Sequence, residues 1–177
     1  MKSKKILVMG VSGCGKSLIG SRIAEALTLQ FFDGDDFHPQ SNVEKMRQGI
    51  PLTDGDRQGW LETLNKQYIE QPSAVIACSA LKPQYRDILR NNNEDLVIVY
   101  LQGSFDTIWN RHKARENHYF NGQEMLKSQF ETLVEPDLDE ALSNKRLMQR
   151  QEHKKDVSIV TSGANNNALM ARALYII

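Results

Sequence analysis

The residues from position 10 to position 17 have the types and the spacing of a loop that binds phosphate. They read Gly-Val-Ser-Gly-Cys-Gly-Lys-Ser and match every fixed position of the pattern G-x-x-x-x-G-K-[ST]. The glycines allow several backbone N–H groups to face one point, and a helix that begins there adds its positive end. The residues predicted to hold the phosphates of a nucleotide are Gly10, Val11, Ser12, Gly13, Cys14, Gly15, Lys16 and Ser17.

Two side chains of this loop are suited to phosphoryl transfer. Lys16 is predicted to reach the β- and γ-phosphates of ATP and to offset the charge that develops there, and the Ser17 hydroxyl is predicted to bind Mg²⁺. Cys14 stands at a variable position of the pattern and is interpreted as an ordinary small side chain, with redox regulation as the alternative. The alternative for the whole loop is a glycine-rich turn that only links a strand to a helix.

Two carboxylates lie at the end of the next predicted strand, within Phe-Phe-Asp-Gly-Asp-Asp-Phe-His-Pro at positions 31 to 39. Alternate residues of a strand share a face, so Asp33 and Asp35 are expected to point to the same place, near the γ-phosphate. Asp35 is the candidate that orients an attacking hydroxyl and accepts its proton, and Asp33 is the candidate that binds Mg²⁺ through water. A surface acidic turn is the alternative. For His38, a contact with the acceptor and a structural role both stay open.

A further polar motif, Leu-Thr-Asp-Gly-Asp-Arg-Gln-Gly-Trp-Leu at positions 52 to 61, has the form of a turn followed by a helix start. Asp56 is the predicted N-cap of this helix, and Trp60 is a predicted core residue. The helix dipole disfavours an arginine in the first turn, so Arg57 is expected to have another partner. The carboxylate of an acidic acceptor is a good candidate for that partner.

The segment after the predicted third strand combines a hydroxyl with basic side chains. Ser79 lies at a strand-to-helix junction, where hydroxyl and N–H groups meet ligands, and Lys82 and Arg86 are one turn apart on one predicted helix face. These residues are predicted to grip an anion or a polyol. The alternative is an ordinary helix whose basic residues form a surface network with aspartates.

Arg111 and Arg115 are also one turn apart and face one direction from a predicted helix. Like charges on one face repel, and a phosphate chain would compensate them, as lid arginines do when they close over ATP. A pair of solvent-exposed arginines is the alternative. His112 and His153 lie in polar helical stretches and are interpreted as solvated.

The elements that must position these residues alternate along the chain. Short β-branched apolar runs predict strands, and longer runs of helical period predict helices between them, which is typical of an α/β fold with a parallel sheet. The predicted strands are Lys5–Met9, Phe31–Asp33, Ala74–Cys78, Leu96–Leu101 and Val157–Thr161. The predicted helices are Lys16–Leu27, Ser41–Gln48, Arg57–Glu70, Lys82–Arg90, Phe105–Arg115, Gly122–Leu133 and Asn166–Tyr175.

Two stretches depart from this alternation, at positions 36–56 and 117–155. In a sheet of this kind ligands lie beyond the carboxyl ends of the strands, so the first stretch is interpreted as an acceptor-side excursion and the second as a lid. For positions 138–155, a solvated helix with no role in the site stays open.

Length and composition predict one domain that spans positions 1–177. The 22 basic residues balance the 22 acidic residues, which argues against nucleic acid or an anionic membrane as a partner. The apolar run at positions 6 to 9 is too short for a signal peptide, and no stretch reaches the roughly 18 apolar residues of a membrane span. Two cysteines without metal-ligand spacing suit a reducing compartment. A cytoplasmic protein is therefore expected.

Taken together, these motifs resemble those of the gluconate kinases of the P-loop type, which are related to shikimate kinase and to the nucleoside monophosphate kinases. The resemblance rests on GVSGCGKS, on FDGDDFHP with NVEKMRQGIPLTDGDRQGWL, on ACSALKPQYRDILR, on VYLQGSFDTIWNRHKAR and on HYFNGQEMLKSQFETLVEP, which run in the family's order from Lys5 to Pro136. It implies a three-layer α/β/α fold of the P-loop NTPase type, with a five-stranded parallel sheet and a helical lid. It also implies ATP and Mg²⁺ as co-reactants, D-gluconate as the acceptor, 6-phosphogluconate as the product, and a homodimer.

The resemblance implies roles for individual side chains. Asp33, Asp35 and His38 are expected to line the reaction centre, and Arg111 and Arg115 to belong to the lid. The expected acceptor contacts are Arg57, Ser79, Lys82, Arg86 and His118.

The resemblance weakens after Pro136, where positions 138–155 look like an insertion relative to the family. Two other functions stay open. One is a P-loop kinase for a different small acceptor, such as shikimate or a nucleoside monophosphate. The other is a nucleotide-binding regulatory module without catalysis.

Overall fold

The computed structural model describes residues 4–114, 122–136 and 157–161, the last range by its backbone alone. The helix predicted at positions 166 to 175 and the tract at 138–155 lie outside these ranges. Among the helices within them, none has the length and apolar character that crossing a bilayer requires. The single domain and the cytoplasmic location stay predictions.

Five strands form one sheet in the order β2-β3-β1-β4-β5, and every pairing is parallel. This confirms the predicted five-stranded parallel sheet. The bounds of β1 and β5 agree with the prediction, and those of the other strands differ by one residue at one end. The strands are β1 (Lys5–Met9), β2 (Gln30–Asp33), β3 (Ala74–Ala77), β4 (Leu96–Gln102) and β5 (Val157–Thr161).

Six α-helices and one 3₁₀ turn are present in the described part of the chain. The 3₁₀ turn at Gly34–Phe37, directly after β2, was not predicted. The helices are α1 (Lys16–Leu27), α2 (Gln40–Arg47), α3 (Asp54–Glu70), α4 (Pro83–Arg90), α5 (Phe105–Lys113) and α6 (Gln123–Thr132).

The start of α3 corrects one prediction. Its N-cap is Thr53, whose hydroxyl accepts a hydrogen bond from the N–H of Asp56 at 3.2 Å, while the Asp56 carboxylate accepts from the N–H of Thr53 at 2.9 Å. Asp56 is thus the third helical residue of a capping box, and its assignment as the N-cap was wrong. The reciprocal bonds satisfy two backbone donors at the helix end, which explains why the helix begins before Arg57.

The core lies in two layers, one on each face of the sheet. Alternate side chains of β1 point to opposite faces of the sheet. Leu7 and Met9 pack with α3 and α4, whereas Ile6 and Val8 pack with α1, α5 and α6. All four side chains are fully buried. A sheet that buries both faces needs a helical layer on each side, and the observed packing confirms the predicted three-layer α/β/α architecture.

Candidate active site

The loop between β1 and α1 has the backbone geometry of a phosphate cradle. Gly15 is the N-cap of α1 with φ of 104°, in the left-handed region, and no side chain caps the helix end. A Cβ atom at Gly15 would meet no other atom within 4 Å, so the loop faces open space at this point. The Lys16 ammonium donates to the carbonyl of Val11 at 3.1 Å, which folds it over the loop. Uncapped N–H groups at a helix start, next to a lysine, fit a polyphosphate.

Ser12 in the same loop is contacted from both sides. Its N–H donates to the Gln129 side-chain oxygen at 2.6 Å, and its carbonyl lies 3.1 Å from Nε2 of His112. A Cβ atom at Gly13 would overlap the His112 ring, and its φ of 78° lies in the left-handed region, so the position favours glycine. The interpretation of His112 as a solvated residue was therefore wrong, because its ring packs against the phosphate loop from α5.

A cleft of about 480 Å³, including its mouth, opens beside this loop. It brings together six of the predicted site residues, which come from four separate segments of the chain: Ser12, Lys16, Asp35, His38, Arg57 and Ser79. The other lining residues, which no sequence motif indicated, are Met46, Leu52, Trp60, Met125 and Gln129. Polar groups that converge among apolar walls are typical of a site for a small polar molecule.

The 3₁₀ turn after β2 presents the predicted base. Asp33 caps this turn, because its carboxylate accepts from the N–H of Asp35 at 3.1 Å. The indole N–H of Trp60 donates to the carbonyl of Gly34 at 2.7 Å and ties the turn to α3. The Asp35 side chain remains 56 % exposed on the cleft wall, so a substrate hydroxyl can reach it.

His38 is held flat against Trp60, with the ring centroids 4.0 Å apart and the planes 17° apart. Its Nδ1 lies 3.5 Å from the Asn42 amide, and its Nε2 lies 3.9 Å from the Asp35 carboxylate. Burial, with the nearby Arg57 charge as a second cause, lowers the pKa of His38 to about 4. The imidazole is consequently neutral at neutral pH, and its contact with Asp35 is one between a dipole and a charge.

The lowered pKa of His38 predicts a loss of stability in mild acid. The unfolded chain takes up the proton near the ordinary pKa of about 6.5, whereas the folded chain does so only near 4, so stability falls as the pH drops between these values. Relative to His38→Gln, the wild type should lose about 2 kcal/mol of unfolding free energy between about pH 7 and about pH 5. Urea denaturation at the two pH values measures this, and equal losses in both proteins would contradict it.

Arg57 lines the cleft with its guanidinium fixed by two contacts. It donates to the carbonyl of Leu52, and it lies over the ring of Tyr85 at 5.6 Å from the centroid. This position agrees with the expectation that Arg57 has a partner other than the helix start. A planar donor group that is already oriented in a cleft can bind a carboxylate with two hydrogen bonds.

Lys82 does not line the cleft in this structure. Its ammonium lies 2.8 Å from both oxygens of Asp54, and the same carboxylate accepts from Gln84 at 2.9 Å and from the Tyr85 hydroxyl. These hydrogen bonds, from Lys82 first and Tyr85 second, lower the pKa of Asp54 to about 2. The arrangement is the surface network with an aspartate that stood as the alternative for this segment.

Arg86 is placed away from the cleft, which corrects its predicted position beside Lys82. The side chain is fully buried, and its guanidinium donates to the carbonyls of Ala80 at 2.9 Å and Val134 at 3.2 Å. A buried guanidinium must satisfy its donors, and these backbone oxygens do so. Arg86 therefore joins the β3–α4 connection to the segment after α6, and it does not reach the acceptor side of the cleft in this structure.

The remaining predicted residues have less definite places. Ser17 lies in the first turn of α1 and is exposed, and Arg111 lies in the last turn of α5, near enough for its charge to act on the Cys14 thiol. Arg115 and His118 lie outside the described residues. Nothing further is assigned to these four side chains by geometry.

Both cysteines are free and buried. Burial raises the pKa of Cys14, and it raises the pKa of Cys78 to about 12. A thiol that stays protonated is a poor nucleophile, which agrees with the interpretation of Cys14 as an ordinary small side chain.

Two side chains of the proposed site have oxygen donors that suit Mg²⁺. The Ser17 hydroxyl and the Asp33 carboxylate offer the oxygen ligands that this ion prefers. Within the described ranges no cluster of three or more His, Cys, Asp or Glu side chains is present. Mg²⁺ in kinases is commonly held by one or two protein ligands together with water and phosphates, so the residues fit this ion.

Comparison with known proteins gives concordant results. The family model described as shikimate kinase matches residues 12–174. The thermoresistant gluconokinase of Escherichia coli K12 is 49 % identical over 138 residues, which cover 76 % of this chain and 78 % of that protein. The crystal structure of a gluconokinase from Sinorhizobium meliloti superposes with a TM-score of 0.82 at 36 % identity and covers 98 % of this chain and 91 % of that one. A sugar kinase from Janibacter gives a TM-score of 0.85 at 32 % identity, with coverage of 98 % and 94 %.

Proposed function

We propose, since this chain belongs to the shikimate kinase family and within it to the gluconokinases, that it transfers the γ-phosphate of ATP to a hydroxyl of D-gluconate and so forms 6-phospho-D-gluconate. Use of ATP follows from the kinase family itself. The observation that carries the choice of acceptor is the single cleft in which Lys16 of the phosphate loop, the Asp35 carboxylate and the Arg57 guanidinium meet.

The phosphate side of the cleft is the loop at positions 10–17. Its N–H groups and Lys16 would hold the phosphate chain, and Lys16 would offset the negative charge that grows during transfer. Ser17 and, through water, Asp33 would hold Mg²⁺, which supplies charge neutralisation between the β- and γ-phosphates when bound.

The acceptor side requires a group that takes a proton and groups that recognise an acid. We assign the first task to Asp35, whose exposed carboxylate would orient the attacking hydroxyl and accept its proton. Arg57 would bind the gluconate carboxylate as a bidentate partner. Neutral His38 and the Ser79 hydroxyl line the same cleft and would hydrogen-bond other hydroxyls of the sugar acid.

Several assignments remain predictions that rest on the family resemblance. His118 would contact the acceptor, and Arg111 and Arg115 would act from a lid over the phosphates. Arg86 was predicted to contact the acceptor as well, but its guanidinium donates to the carbonyls of Ala80 and Val134, and no acceptor contact is assigned to it. A homodimer also stays a prediction.

The test of this function is an acceptor screen with coupled detection of ADP. Purified protein with ATP and Mg²⁺ is offered D-gluconate, other sugar acids, shikimate and nucleoside monophosphates, and a reaction without acceptor corrects for hydrolysis. Release of ADP with gluconate, at a kcat/KM well above that of every other acceptor, is the expected result. Preference for shikimate or a nucleotide would point to the other kinase function, and ATP binding without ADP release would point to a regulatory module.

Arg57→Met should weaken the binding of gluconate more than the binding of ATP. A charge-assisted hydrogen-bonded contact contributes roughly 1.5–3 kcal/mol, so the KM for gluconate should rise about 10- to 100-fold, with little change in the KM for ATP. Arg22→Met is the matched control, because Arg22 lies on α1 and does not line the cleft. Steady-state kinetics with each substrate varied provide the measurement. An unchanged KM for gluconate would remove Arg57 from the acceptor site.

A further inference from the structure

The Gln129 side chain takes up a backbone donor inside the phosphate loop. The N–H of Ser12 donates to Gln129 Oε1 at 2.6 Å. An N–H group can only donate, so the atom that faces it is the amide oxygen, and the amide nitrogen is turned away. A glutamine oxygen therefore lies where a loop built to bind phosphate offers a hydrogen-bond donor to an anion.

Gln129 holds this position because the end of α6 is firmly attached to the rest of the fold. Just after the helix, the N–H of Val134 donates to the carbonyl of Leu81 at 2.9 Å. The Glu135 carboxylate accepts from the Tyr100 hydroxyl at 2.9 Å and from the Gln102 amide at 3.1 Å. Together with the Arg86 bond to Val134, these contacts connect α6 to β4 and to the β3–α4 connection.

The location of Gln129 identifies the part of the nucleotide that it would meet. It lines the cleft together with Lys16 and Asp35. The phosphate that is transferred must lie between the loop lysine and the carboxylate that receives the acceptor hydroxyl. Because Gln129 bonds to Ser12 and lines the same cleft as Asp35, it would meet the terminal phosphate, whereas the N–H groups at the start of α1 would hold the phosphates farther from the acceptor.

We propose that Gln129 is a specificity-determining residue for the terminal phosphate of ATP. Without nucleotide, its amide oxygen accepts the hydrogen bond from the Ser12 N–H. When ATP binds, the amide turns so that its NH₂ group donates to the γ-phosphate. Glutamine can serve both states because it carries an acceptor and a donor on one planar group. An ionised glutamate can serve only the first, since it accepts from Ser12 but repels phosphate. This inference rests on the proposed kinase reaction.

The test measures nucleotide binding by calorimetry without any acceptor. For Gln129→Glu, the Kd for ATP should rise at least about tenfold, because the carboxylate still accepts the hydrogen bond from the Ser12 N–H and repels the charge of the γ-phosphate. The Kd for ADP should change less than about threefold. Gln123→Glu is the matched control, since it adds the same charge at an exposed position of the same helix. It should leave both Kd values near those of the wild type.

A second variant keeps the test decisive if the glutamate protein folds poorly. Gln129→Met has a similar volume but lacks the donor, and it should raise the Kd for ATP several-fold more than the Kd for ADP. Equal effects on ATP and ADP, or no effect on either, would overturn the role of Gln129. If ATP is distinguished from ADP through Gln129 but gluconate is not phosphorylated, the proposed acceptor fails and the inference stands.

Discussion

Lys16→Met is expected to reduce kcat for gluconate phosphorylation by at least about 10³-fold, because the charge that accumulates on the transferred phosphate loses its nearest compensating cation. The lysine already lies over the loop, where its ammonium bonds to the carbonyl of Val11 at 3.1 Å. Steady-state turnover at saturating ATP and gluconate measures the loss. Circular dichroism and the melting temperature report whether the fold survives the substitution.

The matched control for this change is Lys66→Met, which removes a lysine from an exposed position of α3. Its kcat should equal that of the wild type. If Lys16→Met kept more than about a tenth of wild-type turnover, the loop would hold phosphate without taking part in transfer, and the role assigned to its lysine would have to be given up.

Asp35→Asn is expected to lower kcat by about 10²- to 10⁴-fold, since the amide can still touch the attacking hydroxyl but cannot accept its proton. Because we assign this carboxylate to the acceptor and not to the nucleotide, the Kd for ATP should change by less than about threefold. Rapid-quench turnover and calorimetry on the same preparation separate the two effects.

The neighbouring Asp36 provides a close comparison. Asp36→Asn makes the same chemical change one residue later in the same 3₁₀ turn, at a position that does not line the cleft. Its turnover should stay close to that of the wild type. Comparable losses in both variants would mean that the turn requires acidic residues for its conformation, and Asp35 would then not be the base.

The sheet could be predicted from sequence because its strands are buried on both faces. Such strands are short, apolar and β-branched, and glycine or polar residues separate them from the helices. The phosphate loop could also be predicted from sequence, since G-x-x-x-x-G-K-[ST] describes a local backbone shape that depends on neighbouring residues alone. In the structure Lys16, Asp35 and Arg57 line one cleft, a grouping that local patterns could not give.

What sequence could not reveal were contacts between distant segments. Arg86 has the appearance of a surface arginine one turn after Lys82, and only the packing of the segment after α6 makes it a buried donor to carbonyls. The contacts of His112 and Gln129 with Ser12 were missed for the same reason, because they join residues that are 100 and 117 positions apart in the sequence. Helix starts such as that of α3 depend on the capping geometry, which spacing alone leaves ambiguous.

The strand order has a consequence for how such enzymes diversify. β1, which leads into the phosphate loop, is paired on both sides, whereas β2 is an edge strand, and the turn and helix that follow it form part of the acceptor wall. Changes in length or composition after an edge strand disturb only one ladder of hydrogen bonds. Changes at the sheet edge can therefore alter which alcohol is recognised while the central strand and its phosphate loop stay as they are.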